Sequence, residues 1–256
     1  MNAILRQLLD HREGVALCWL GNLGWLLRAE GRLLGIDLDL DVANRIQPSP
    51  IPTADLAAAL DILFITHAHG DHFSSQTGRI LAAQGHCRFV LPASCLEKAE
   101  QLKIPQERIR VARPRQPFTI DSIPIEPQRA LHGHTGFSVY RHANLDDCGY
   151  VFTLAGRRLY QPGDTVLLHE HLEDFADVDV LFLSPTLHNT HIEASARFAA
   201  AVQPDYIFPQ HFATYQVDEG NSFWTVGYPD QLRQALPDNL KGCFHKLDQG
   251  AVFSIQ

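Results

Sequence analysis

Three short segments limit most strongly how this chain can fold: "DILFIT" at Asp61–Thr66, "DVDVLFLSP" at Asp177–Pro185 and "DYIFPQH" at Asp205–His211. Each holds an unbroken apolar run, too short for a helix and without the alternation of a half-exposed strand, so each reads as a strand covered on both faces. Such strands belong in the middle of a sandwiched sheet. Helical patterns at Gln76–Gln84, Ser94–Leu102, Glu193–Val202 and Pro229–Leu236 alternate with strand signals, which is an α/β pattern.

The rest of the chain is richer in strands. Val15–Leu27 and Arg32–Leu38 read as a strand pair turning at "RAEG", and Ala54–Leu60 as a short helix capped by Thr53. Ile109–Leu131 reads as short strands without helical period. "GYVFTLAGRRLYQPGDT" reads as a hairpin turning at Ala155-Gly156, and "GAVFSI" as a closing strand. Strands, α/β units, strands and α/β units again suggest two similar halves packed into one four-layer domain over residues 1–256. No linker or low-complexity segment divides it.

Twenty-nine acidic against 21 basic side chains leave a net charge of −8, which argues against a surface built for a nucleic-acid backbone. No apolar run approaches the roughly 20 residues needed to span a bilayer. The start, "MNAILRQLLDHREG", lacks the pattern of a signal peptide, so a cytoplasmic location is expected. The five scattered cysteines, never in a C-x-x-C pair, read as free thiols in a reducing compartment.

Histidine is the unusual component: 14 residues, well above the roughly 2% share of an average protein. Three of them, with an aspartate, fall within six residues directly after the first buried strand, in "THAHGDHF". Ligands of one ion must come within about 2.0–2.2 Å of it. His67 and His69, two apart on extended chain, can project to one side. Asp71 and His72 follow Gly70, where the chain can turn, and address a different point. One loop thus offers two ligands to one ion and two to a neighbour, an arrangement unlike the helical His-Glu-x-x-His motif.

"THAHGDHF" is similar to the His-x-His-x-Asp-His signature of the metallo-β-lactamase superfamily. The resemblance runs from "GNLGWLLRAEGRLLGIDLDL" to "IFPQHF", and it is strongest to the branch of ascorbate-6-phosphate lactonase and its relatives. It implies an αββα sandwich and a centre of two divalent ions. His67, His69 and a histidine of "QRALHGHTG" would hold the first ion; His132, directly after the apolar "AL", is preferred, leaving His134 to the substrate pocket or the structure. Asp71, His72 and His211 would hold the second, and Asp164 in "LYQPGDT" would bridge the two. Neither ion would have a full shell from protein alone, and open positions are what a catalytic site needs.

Two such ions lower the pKa of a shared water toward neutrality and polarise the oxygen under attack. The resemblance therefore implies hydrolysis of a small ester, lactone or phosphoester, with Asp71 and Asp164 as the catalytic carboxylates and Asp71 also a proton carrier. Five histidines and two carboxylates suit zinc, with manganese and iron compatible. A two-iron branch has Glu where this chain has His69 and carries a flavin domain, and neither feature is present.

His188 and His191 in "SPTLHNTHIE" follow the second buried strand, where substrate contacts arise. The family commonly has a glycine-containing turn there, and the alternative is a helix capped by Thr190. Arg141, His142, Tyr215 and Trp224 are further candidates for the pocket wall. Asp37 is expected to support the site from beneath, and His169 and His171 in "HEHLED" to lie on a solvated face. A phosphodiesterase or nuclease of the same superfamily is the second reading, although it would need a basic exosite. A non-catalytic metal-binding protein of the same fold is the third. A small-molecule substrate, no membrane partner and a homo-oligomer complete the expectation.

Overall fold

The computed structural model describes residues 1–131 and 144–256. Contacts group them into two compact units: Met1–Arg113 with Leu247–Gln256, and Pro114–Lys246.

In the first unit, seven strands numbered in chain order form one sheet: β1 (Val15–Gly21), β2 (Gly24–Ala29), β3 (Arg32–Ile36), β4 (Ile62–Phe64), β5 (Arg88–Pro92), β6 (Ile109–Ala112) and β13 (Val252–Ile255). Their order is β13-β1-β2-β3-β4-β5-β6. The first three pairings are antiparallel and the last three parallel. The helices of this unit are α1 (Ala3–Asp10), α2 (Thr53–Ala57), α3 (Ser75–Gln84) and α4 (Leu96–Gln101). Leu56, Leu81 and Ala99 from them enter a core with Leu26, Leu63 and Phe89.

Three local expectations change. Val15–Leu27 is two strands, because Gly21 and Asn22 both take positive φ and reverse the chain. Both strands are buried along their whole length, so the break is carried by Gly21 and the single polar residue Asn22 within an otherwise apolar run. The second turn falls where expected, with Glu30 and Gly31 at φ 52° and 77°, the hand that suits a tight hairpin. Helix α1 was not among the expected elements; the Asn2 side chain caps it by accepting from the Ile4 and Leu5 amides, and Leu5 and Leu8 face the core. Thr53 does not cap α2: its hydroxyl donates to Asp41 Oδ2 at 2.6 Å.

In the second unit, β7 (Phe118–Ile120), β8 (Ile123–Arg129), β9 (Cys148–Leu154), β10 (Arg157–Gln161), β11 (Val180–Leu183) and β12 (Tyr206–Pro209) form a sheet of order β12-β11-β10-β9-β8-β7. Strands β10, β11 and β12 run parallel, and β11 is buried throughout as its apolar run requires. Helices α5 (His191–Val202), α6 (Ser222–Thr225) and α7 (Pro229–Ala235) follow. Phe198 and Leu232 pack with Leu181 and Ile207 in this unit's core. Among the described residues, no helix is long and apolar enough to cross a membrane.

His171 departs from the solvated face expected of "HEHLED". A single 3-10 turn, His169–Leu172, leaves His169 exposed and carries His171 inward. There it stacks on Phe198 and its Nε2 lies 3.1 Å from the Tyr160 hydroxyl. Its Nδ1 accepts from the Leu168 amide, so the neutral ring is held with its proton on Nε2.

Burial lowers the His171 pKa to about 4 from 6.5, with Glu170 opposing and Arg129 assisting. Between those values the unfolded chain binds a proton that the folded one refuses, so stability falls as pH drops through the window. The full effect is roughly 3 kcal/mol, at about 1.4 kcal/mol per pKa unit. Urea denaturation of wild type and His171→Gln from pH 7 to 4 should show the stability gap between them narrowing or reversing toward acid. Parallel curves would rule out His171 as the source.

Candidate metal centre

In the first unit, the site begins where two parallel neighbours end. Ile36 of β3 pairs with Phe64 of β4, and the Asp37 amide donates to the Phe64 carbonyl. Asp37 then takes φ 44°, which turns a fully buried carboxylate under the histidine loop. Its Oδ1 accepts from the Thr66 amide at 2.8 Å; its Oδ2 accepts from the Thr66 hydroxyl at 2.6 Å and lies 2.8 Å from His72 Nδ1. Burial raises the Asp37 pKa, and His72 and Thr66 pull against it. With Nδ1 donating to the carboxylate, His72 keeps its Nε2 lone pair outward, the usual preparation of a histidine for a metal.

The rings of His67 and His72 lie 3.9 Å apart and those of His67 and His69 4.6 Å apart. The chain turns after His69, whose carbonyl accepts from the His72 and Phe73 amides. His72 Nε2 stands 3.5 Å from Asp71 Oδ2, and the Asn22 amide donates to the same oxygen at 3.2 Å. Asn22 escaped the sequence reading because it lies 49 positions from Asp71. Lys98 donates to the Ala68 carbonyl and braces the loop from α4.

In the second unit, the ligand candidates again follow strand ends. Asp164 comes after β10 by way of Pro162 and Gly163, the latter at φ 68°. His211 comes after β12 and is itself left-handed, at φ 64°. A non-glycine residue held there is strained, and such strain gathers at functional positions. Both side chains are buried, with His211 Nε2 3.4 Å from Asp164 Oδ2.

Between them, Gln161 and Gln210 exchange two buried hydrogen bonds of 2.8 and 2.7 Å, and Gln210 also donates to Ser184 Oγ. This amide pair ties together the ends of β10, β11 and β12. Its signal was present in sequence as a Gln in each of "YQPGD" and "PQH", yet only the sheet order makes the two partners. A Cβ at Gly227 would lie 2.4 Å from the His211 carbonyl oxygen, so this position must stay bare for the loop to close on His211.

His188 Nε2 lies 2.8 Å from Asp164 Oδ2. His191 is elsewhere: at φ 50° it opens α5 and lines a surface groove with Thr190, Glu193 and Arg197. Thr190 occupies the cap position without capping; its hydroxyl pairs with Ser195 Oγ at 2.6 Å. Trp224 packs edge-on to His211 and tilted on Tyr215. His132, His134, Arg141 and His142 lie outside the described residues.

Residues 35–212 match the beta-lactamase superfamily domain. The chain belongs to the metallo-β-lactamase superfamily. It is 26% identical over 174 residues to a UPF0173 metal-dependent hydrolase of Pyrococcus furiosus, covering 65% of this chain and 74% of that one. A UPF0173 metal-dependent hydrolase of Thermococcus kodakarensis is also 26% identical, over 60% of this chain and 68% of its own. The fold is that of Igni18, a metallo hydrolase from Ignicoccus hospitalis, with a TM-score of 0.72 at 20% identity over 94% of this chain and 98% of that one. An isothiocyanate hydrolase from Delia radicum gut bacteria matches equally, with a TM-score of 0.72 at 18% identity over 94% and 99%.

Replacing Asp37 by Ala would leave the Thr66 amide and hydroxyl and His72 Nδ1 without their buried acceptor. A loss of about 2–4 kcal/mol in metal-free urea denaturation is expected. A variant as stable as wild type would show the network to be dispensable for folding.

Proposed function

We propose that this metal-dependent hydrolase of the metallo-β-lactamase superfamily works with two divalent ions on a small ester, lactone or phosphoester. The observation that carries this reading is the buried Asp37–His72 pair, which presets one imidazole for a metal. The donor set fits a divalent ion of intermediate softness: imidazoles and carboxylates in the motif, with zinc favoured and manganese or iron compatible. Burial pushes the Cys18 thiol up to about 12 and the Cys87 thiol to about 11, so neither is a ready thiolate ligand.

His67, His69 and either His132 or His134 are assigned to one ion, Asp71, His72 and His211 to the other, and Asp164 to both. This assignment follows the family motif. When bound, the ions supply acidified water at neutral pH and polarise the carbonyl or phosphoryl oxygen under attack. Asp71 takes up and delivers the proton, with one of its oxygens oriented by the Asn22 amide. Lactones stand among the proposed substrates because the chain from "GNLGWLLRAEGRLLGIDLDL" to "IFPQHF" resembles the lactonase branch of the superfamily. The acidic balance of the chain disfavours a nucleic-acid substrate.

Elemental analysis of protein purified without added metal, beside a panel of lactones, carboxylic esters, small phosphodiesters, isothiocyanates and single-stranded DNA, tests the proposal. About two equivalents of zinc, manganese or iron and a chelator-sensitive hit are expected. Absence of metal after reconstitution would sink the reading, and turnover of single-stranded DNA alone would replace the substrate class. His67→Ala and Asp164→Ala should each lose metal and turnover while staying folded. Asn22→Ala should keep the metal and lose about 10–100-fold in kcat; an unchanged kcat would remove Asn22 from the machinery.

A further inference from the structure

His188 stands outside the seven residues that the family motif assigns to metal, and its surroundings give it a specific chemistry. Only 9% of its side chain is exposed. Its Nδ1 lies 3.4 Å from the Phe223 carbonyl oxygen in α6, and its Nε2 2.8 Å from Asp164 Oδ2. A carbonyl oxygen can only accept, so Nδ1 carries the ring proton. In the neutral ring the lone pair then sits on Nε2 and points at a carboxylate oxygen, which is also an acceptor. Two acceptors at that separation repel unless a positive charge lies between them, either a proton on Nε2 or a metal ion.

A second imidazole points at the same place. His211 Nε2 lies 3.4 Å from the same Asp164 oxygen, and one ligand atom from each of the three residues lies within 4.8 Å of the others. Ligands about 2.0–2.2 Å from one ion stand about 3 Å apart when adjacent in its shell. The observed 2.8 and 3.4 Å bracket that spacing. The ring plane is held as well, since His188 packs edge-on against Phe223 and against His211.

We infer that His188 is itself a metal ligand, binding one divalent ion together with Asp164 and His211. The inference rests on the dinuclear reading above and adds an imidazole to the ion assigned to His211. A nitrogen-richer shell favours zinc or iron over magnesium or calcium. The Phe223 carbonyl then serves as the backbone acceptor that orients a ligating histidine through its far nitrogen.

The test uses the full chain stripped of metal and titrated with cobalt(II), in wild type, His188→Ala and His188→Gln. Visible absorption reports binding, and proton NMR reports the exchangeable, hyperfine-shifted imidazole N–H resonances of coordinated histidines. Both variants should lose one shifted resonance, and His188→Ala should weaken one binding step by about tenfold or more. Circular dichroism of the metal-free proteins establishes folding, and His188→Gln, closer in size, carries the test if the alanine variant does not fold. Unchanged resonances and affinity in a folded variant overturn the inference while the dinuclear reading stands. If wild type binds no cobalt, the dinuclear reading fails and His188 falls with it.

Discussion

The carboxylate of Asp37 is the interaction on which the first unit's site depends. A wholly buried carboxylate is costly unless every oxygen is met by a donor, and here Thr66 donates twice and His72 faces it at 2.8 Å. Those contacts connect the end of β3 to the segment that leaves β4. The β-sheet therefore hands its rigidity to a loop of histidines, and His72 is aimed before any ligand arrives. Preset aim matters because a donor loosely placed by an ångström is a poor metal ligand.

The second unit solves the same problem with different chemistry. Asp164 and His211 also follow strand ends, but what ties their loops is a neutral amide pair, Gln161 with Gln210. A reciprocal amide pair meets both of its members' needs without burying charge, so it supports two loops at little desolvation cost. His211 is then held in a left-handed conformation that an unsupported loop would relax. Gly227, bare against the His211 carbonyl, belongs to the same support.

His188 and His171 show how two histidines of one chain are put to opposite uses. His171 is enclosed by Phe198, Phe175 and Tyr160, and its nitrogens are met by an amide donor and a hydroxyl. Its work is packing, and burial holds it neutral. His188 has a backbone acceptor behind it and a carboxylate in front, the surroundings of a ligand rather than of a core residue. Sequence context alone favoured neither assignment: "HEHLED" looked solvated and "TLHNTH" looked like a substrate turn.

What the sequence by itself determined is the part written in local patterns. The apolar runs at Ile62–Phe64, Val180–Leu183 and Tyr206–Pro209 demanded buried strands, and "THAHGDHF" demanded a polar loop at the end of the first. Both follow from side-chain periodicity and residue chemistry within a few positions. The positive-φ turn at Glu30-Gly31 was equally legible, whereas the break at Gly21-Asn22 was hidden by strands buried on both faces. Only the tertiary structure decided the partners: Asn22 for Asp71, Gln161 for Gln210, Tyr160 for His171 and Asp164 for His188. Each of these pairs is joined by strand order and chain reversal across 11 to 49 positions. Hydrogen-bond partners at that range are selected by the sheet that brings them together, and no local pattern encodes them.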